Sequence, residues 1–168
     1  YLKEFFGQGI DNPGLSYFSH IPRWETTSRI KGFYSPDLKD LLKTDAIQTF
    51  QSGLPANFQK LHSFNKSQYI ESKTLMSGYL LCSQGDRMLM MNSVEGRFPF
   101  LDHRLIEFVN KIHPKYKMKG LAEKYLLKRS MGKYIPQDIM KRHKQPYRSP
   151  DIISFTGSNS KDYVNELM

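Results

Sequence analysis

From Ser67 to Ser93 the chain runs without a proline, and its apolar side chains recur at helical spacing. Leu75, Tyr79 and Cys82 fall at i, i+4 and i+7, with Met76 and Leu80 beside them. A stretch of this length with one apolar face predicts a long helix that needs cover. Gly85 is the expected point of a break, because glycine costs about 1 kcal/mol in a helix interior. Beyond it Met88, Leu89 and Met91 continue the apolar content, as core filler rather than as ligands. The same period returns at Leu105, Phe108, Val109 and Ile112, behind a capping Asp102 and ahead of His113-Pro114, which ends the element. A third helix is expected from Leu121 to Tyr134, then a helical turn through Met140 after Ile135-Pro136. A last helix is expected within Ser158–Met168, with Tyr163, Val164 and Leu167 on one side. No strand-length alternation of period two occurs, so the fold class is mostly α. The core is expected from Leu75, Met76, Tyr79, Leu80, Leu105, Phe108, Val109, Leu126 and Leu127.

The N-terminal part reads differently. Gly7, Gly9, Asn12-Pro13-Gly14 and Ile21-Pro22 punctuate residues 1–35, and Phe5, Phe6, Tyr17, Phe18 and Trp24 lie among them without a period. This is an irregular, aromatic-rich segment expected to pack on another lobe. Lacking that lobe, it is expected to leave aromatics exposed, or to hide Phe18 or Trp24 in a homodimer. Residues 36–168 then form the helical part, opening at Ser35-Pro36, where serine is a natural N-cap and proline suits the first helical position.

Composition narrows the function. No apolar run approaches the roughly 18 residues needed to span a bilayer, so no membrane association is expected. One cysteine, Cys82, excludes an internal disulfide framework; it sits among Tyr79, Leu80 and Leu81 as a small hydrophobe. It fits a reducing, cytoplasmic setting. The chain starts at Tyr1 without an initiator methionine or a leader pattern, and is expected to be a fragment of a longer protein. Charge is the stronger signal. Lys111 to Arg148 holds twelve Lys and Arg against Glu123 and Asp138, whereas the other 130 residues hold thirteen basic and fourteen acidic side chains. The whole net charge of +9 therefore comes from one stretch, which favours anionic partners. A solvated basic helix face and a nucleic-acid-binding module with Tyr116, Tyr125, Tyr134 and Tyr147 as stacking groups are the competing readings.

Motifs for P-loop, dinucleotide, zinc-protease and serine-hydrolase chemistry are missing. The histidines, His20, His62, His103, His113 and His143, lack metal-ligand spacing and read as surface or capping groups; no metal site is expected. Two clusters stand out. Glu95, Arg97 and Asp102 are interleaved with Val94, Phe98, Phe100 and Leu101, and charges among such side chains need partners. The bland reading is a Glu–Arg pair bracing a helix end. Lys141-Arg142-His143-Lys144 sets four cationic groups together, which solvation or a bound anion would explain.

The segment Gly85-Asp86-Arg87-Met88, then Ser93-Val94-Glu95-Gly96-Arg97-Phe98-Pro99-Phe100-Leu101-Asp102-His103-Arg104-Leu105, resembles the C-terminal synthetase domain of glutamine-hydrolysing asparagine synthetases. Glu123-Lys124-Tyr125-Leu126-Leu127 with Ile135-Pro136 resembles that family's Lys-Tyr-Leu-Leu-Arg helix, and Arg142-x-Lys144-Gln145 its Arg-x-Lys-Gln/Glu loop. Together these cover roughly residues 67–150, with a weaker match at Phe18-Ser19-His20-Ile21-Pro22-Arg23. The family's Ser-Gly-Gly-x-Asp-Ser pyrophosphate loop and Gly-Glu-Gly-Ala-Asp-Glu segment do not occur in this sequence.

The resemblance implies the helical C-terminal lobe of a PP-loop ATP pyrophosphatase (adenine-nucleotide alpha-hydrolase-like) domain. It implies Mg2+-ATP as the nucleotide, bound mainly by the PP-loop half, and an N-terminal glutaminase domain as the ammonia source. The implied reaction is adenylation of a carboxylate, aspartate or a relative of it, followed by amidation. In that frame Lys144 stands at the catalytic-lysine position and Glu95 at that of an acceptor-side carboxylate. Arg97 and Asp102 are its supporting shell, and Arg142, His143 and Lys124 are candidates facing the nucleotide.

Overall fold

The computed structural model describes residues 12–144, residue 155 and residues 162–167. The chain divides into two units, Tyr1–Val109 and Asn110–Met168. The described residues are mostly helical, and the nearest thing to a strand among them is an isolated bridge between Lys119 and Ala122.

In the first unit a 3-10 turn, Phe18–His20, leads into α1, Ile21–Ser28, and a second 3-10 segment, Arg29–Phe33, follows. The expectation of irregular chain here is corrected. Ile21-Pro22 opens a helix, because proline in the first turn gives up an N–H that has no partner there anyway. Helix α2, Pro36–Leu41, begins as predicted, with Leu38 N–H donating to Ser35 Oγ at 3.3 Å. Helix α3, Ala46–Ser52, is capped by Asp45, whose Oδ1 accepts from Ile47 and Gln48 N–H at 2.9 and 3.1 Å. A 3-10 turn, Phe58–Lys60, precedes the longest helical run. That run starts as α4, Ser63–Glu71, widens into a π-helical segment, Ser72–Asp86, and closes as α5, Arg87–Met91. The break expected at Gly85 does not occur. Its missing Cβ is what the wide turn uses, since a Cβ there would stand 3.3 Å from the carbonyl oxygen of Leu80, five residues back. After a 3-10 turn, Pro99–Leu101, comes α6, His103–Lys111.

The second unit holds α7, Pro114–Lys117; α8, Tyr125–Met131; α9, Gln137–Lys141; and α10, Asp162–Leu167. Helix α8 starts later than the expected Leu121. Gly120, at φ +58°, and the Lys119–Ala122 bridge fold residues 119–122 into a tight turn instead. The tail helix falls where expected from Asp162 onward; residues 158–161 lie outside the described residues.

The core differs from the expectation. Among the described residues the buried apolar side chains are Ile21, Phe58 and Ile70, all in the first unit. Phe58 meets Tyr69 edge to face at 5.4 Å, and Trp24 stacks on Tyr17 at 5.8 Å and meets Phe50 edge-on at 5.2 Å. Leu75, Met76, Leu80 and Val109 are half-buried. Tyr79, Leu105, Leu126 and Leu127 are exposed, and Phe108 is 63% exposed. Periodicity marks which side of a helix is apolar, not whether another element covers it. Exposed aromatics are present in the N-terminal region, Phe33 above all, whereas Trp24 is half-buried in its ring cluster.

Candidate functional site

The acidic cluster follows α5. Asn92 N–H donates to the carbonyl oxygens of Met88 and Leu89, and Val94 N–H returns to Leu89 O at 2.9 Å, so the helix ends in a turn with Ser93 at φ 55°. Gly96 then passes so close to Leu89 and Phe98 that a Cβ would strike both side chains. This close approach is why glycine stands between Glu95 and Arg97. Those two form an ion pair of 2.7 Å, with side chains 74% and 82% exposed. The expectation of charge held in apolar surroundings is corrected, because Val94, Phe98 and Phe100 are themselves exposed. A solvated pair of this kind adds little stability.

Asp102 is not joined to Arg97. Its carboxylate takes a two-pronged contact from Arg104, at 3.1 and 2.7 Å, and accepts from the N–H groups of Arg104 and Leu105. The Arg104 guanidinium, and then these amides, hold its carboxyl below the usual range. It caps α6, as its position before that helix predicts.

The second unit carries the cationic candidates. Lys124 precedes α8 in the left-handed region, at φ 55° and ψ 31°, and its side chain is exposed. Arg142, in extended conformation, ends α9, and it, His143 and Lys144 are exposed. Lys128 Nζ donates to the Arg142 carbonyl at 2.9 Å, which ties this strand of cations back to α8. Tyr125, next to Lys124, has Lys119 and Arg129 over its ring at 5.5 and 5.8 Å. Arg129 also donates to its hydroxyl, and that bond with the two charges lowers the phenol from its ordinary value. Lys115 lies over Tyr116 at 5.0 Å. Faces of two tyrosines that a nucleic-acid reading needs for stacking are thus occupied by the chain's own cations.

Sequence reasoning missed a third cluster. His20, 5% exposed, pairs through Nε2 with Glu71 Oε2 at 2.9 Å, and Arg23 donates to the same oxygen at 2.8 Å. Ser19 Oγ lies 2.8 Å from His20 Nδ1. A neutral ring that donates from Nε2 and accepts at Nδ1 satisfies all three groups. Burial lowers the His20 pKa, and the Glu71 contact offsets this only in part. Burial raises Glu71, but its bonds to Arg23 and His20 outweigh that and hold it low. The sequence signal was Ser-His-Ile-Pro-Arg itself, with His20 and Arg23 three apart on the face that α1 turns to α4. His62 and His113 do cap, accepting through Nδ1 from Phe64 and Lys115 N–H at 3.1 and 3.2 Å.

Among the described residues no group of three or more His, Cys, Asp or Glu stands ready for a metal ion, and no helix is long and apolar enough to cross a membrane. The lysine and arginine side chains of the second unit carry the charge that attracts phosphate oxygens and repels Mg2+.

Known proteins share much of this sequence. Over 118 residues the chain is 36% identical to Amidase chyE of Penicillium rubens, covering 66% of this chain and 18% of that protein. It is 32% identical over 115 residues to Amidase chry2 of Gibberella zeae, covering 64% of this chain and 17% of that protein. Over 119 residues it is 36% identical to the glutamine-hydrolysing asparagine synthetase 1 of Bacillus subtilis, covering 70% of this chain and 17% of that protein. The chain thus spans less than a fifth of the length of these relatives. No solved structure matches it. The model of the asparagine synthase family matches residues 8–168, nearly the whole sequence, and the chain belongs to that family.

Proposed function

We propose that this chain supplies one wall of the active site in an ATP-dependent amidotransferase, which activates a carboxylate as an acyl adenylate and amidates it with glutamine-derived ammonia. The observation that carries the reading is the family match together with the ordered residues Glu95, Arg97, Lys124, Arg142 and Lys144. ATP is the co-substrate, and bound Mg2+ would screen its phosphates; the metal's ligands belong to the PP-loop half rather than to these residues. Lys144 is the cation that stabilises charge developing on phosphate and acyl oxygens, worth several kcal/mol in a water-poor site. Glu95, paired with Arg97, accepts a proton from ammonia as the amide forms or orients it. Lys124, Arg142 and His143 add positive field toward the nucleotide, and Asp102 acts only through the cap of α6.

Aspartate is the first acceptor to consider. A second reading, another carboxylate, is favoured by the two relatives named amidases at 36% and 32% identity. The test is pyrophosphate release and amide formation by the full-length enzyme over a panel of carboxylates. Aspartate alone turning over supports asparagine synthesis, and a preference for another acid supports the second reading. Release of pyrophosphate with none of them, at saturating ATP, removes the adenylation mechanism. The cytoplasm is the compartment proposed for this chemistry.

A further inference from the structure

The segment that carries Lys144 is held where it leaves α9. Arg142 is the residue of departure, and both of its peptide groups are committed. Its N–H donates to the Asp138 carbonyl at 3.2 Å, and its own carbonyl accepts from Lys128 Nζ at 2.9 Å. The second bond comes from a different helix. Lys128 lies on α8, one turn before Gly132, and a Cβ on Gly132 would stand only 3.1 Å from Met140 Sδ. The ends of α8 and α9 therefore meet closely, and the half-buried Lys128 reaches across to Arg142, two residues past Met140.

An ammonium on a terminal carbonyl is ordinarily a cap, filling an acceptor that a helix end leaves open. Here the capped carbonyl belongs to the peptide that joins Arg142 to His143. The bond thus fixes the plane from which the following residues set out, and Lys144 is only two residues on, at most about 7 Å of chain. Lys128 makes no ion pair among the described residues, so no carboxylate competes for its ammonium. We propose that Lys128 is a positioning residue for Lys144, placing the Lys144 ammonium by holding the Arg142 carbonyl. This rests on the reading of Lys144 given above.

The test is a double-mutant cycle in the full-length enzyme, followed as pyrophosphate release from ATP with whichever acid of the panel turns over fastest. Lys128→Met keeps the hydrocarbon stem and removes the donor. A catalytic group misplaced by about 1 Å can cost about a hundredfold, and the Asp138 bond still holds part of the segment, so kcat should fall about tenfold. KM for ATP should stay within about twofold, because the ground state loses no contact. Lys128→Arg keeps a cationic donor and should recover about a third or more of the parent turnover. In the Lys144→Ala background, Lys128→Met should change kcat by less than about twofold, since no ammonium is left to place. An undiminished loss in that background, which a direct nucleotide contact or a damaged fold would give, overturns the proposal. So does parent-like turnover of Lys128→Met, a loss confined to KM, or a Lys128→Arg no better than Lys128→Met. In each of these cases a large loss in Lys144→Ala alone leaves the reading of Lys144 standing. Parent-like turnover of Lys144→Ala removes that reading and the proposal together.

Discussion

Lys144 is an exposed lysine just past α9, and it makes no ion pair among the described residues. Removal of that charge is therefore expected to act on chemistry alone. Lys144→Ala in the full-length enzyme should lower kcat by about a thousandfold, roughly 4 kcal/mol, with far less effect on KM for ATP. Lys144→Arg should rescue only partly, since a planar fork does not place a point charge where an ammonium does. Stability should move by no more than about 0.5 kcal/mol in either variant. Steady-state kinetics decides: turnover within threefold of the parent leaves Lys144 a solvated loop residue. Glu95→Gln separates the two half-reactions, because a base needed for ammonia is not needed for adenylation; pyrophosphate release should persist while amide formation falls. Gly96 makes a purely steric statement. Gly96→Val would drive its side chain into Leu89 and Phe98, and overpacking of this kind costs about 1–3 kcal/mol, readable as a lowered Tm. Residue types and order made Glu95 and Lys144 legible in the sequence. Their exposure was not, because a hydrophobic neighbour in sequence says nothing about which side chains a turn leaves in water.

At the scale of elements, α1 and α4 are joined by the part-buried contact of His20 and the exposed contact of Arg23 with Glu71, some fifty residues away in sequence. With so few apolar residues buried among the described ones, this polar contact should matter out of proportion to its size. Glu71→Ala leaves the Nε2–H of a buried histidine without its acceptor, and should cost about 1–3 kcal/mol. Acid should have the same effect by a different route. The unfolded chain takes up a proton on histidine near its ordinary value of 6.5, while folded His20 resists, so stability falls as pH drops below that value. Glu71 has a lowered folded pKa, so its contribution is present above its ordinary value of 4.5 and is lost as pH falls through the folded one. Both shifts run in one direction. Thermal melts between pH 7.5 and 5 should show a falling Tm that flattens in His20→Phe; a profile as steep in that variant as in the parent would remove His20 as the cause. Helix positions were largely legible, since proline, capping residues and a 3.6 period act locally. The π-helical widening and the His20–Glu71 contact were not, since both depend on what faces what across the unit.

For the whole molecule, the helices end with apolar faces in water: Phe108 is 63% exposed, Phe100 67% and Leu121 94%. Burying such groups is worth about 1.5–3 kcal/mol each, so a chain that leaves them exposed has a strong incentive to cover them. Trp24 does not serve that purpose, being engaged with Tyr17 and Phe50, and Phe108 and Phe100 replace it as the expected contact surface of a homodimer. Analytical ultracentrifugation of the isolated chain should show self-association that Phe108→Ser weakens, while a monomer at high concentration would reject it. Nucleotide affinity follows from the same partial surface. Tight ATP binding needs backbone N–H groups cradling the phosphates, and no pyrophosphate loop occurs in this sequence; what it offers instead is a set of exposed cations screened by salt. The isolated chain is therefore expected to form no amide and to bind ATP no better than millimolar, with affinity falling steeply as salt is raised. Calorimetry at two ionic strengths checks this, and a micromolar, salt-insensitive dissociation constant would mean that these residues bind the nucleotide on their own.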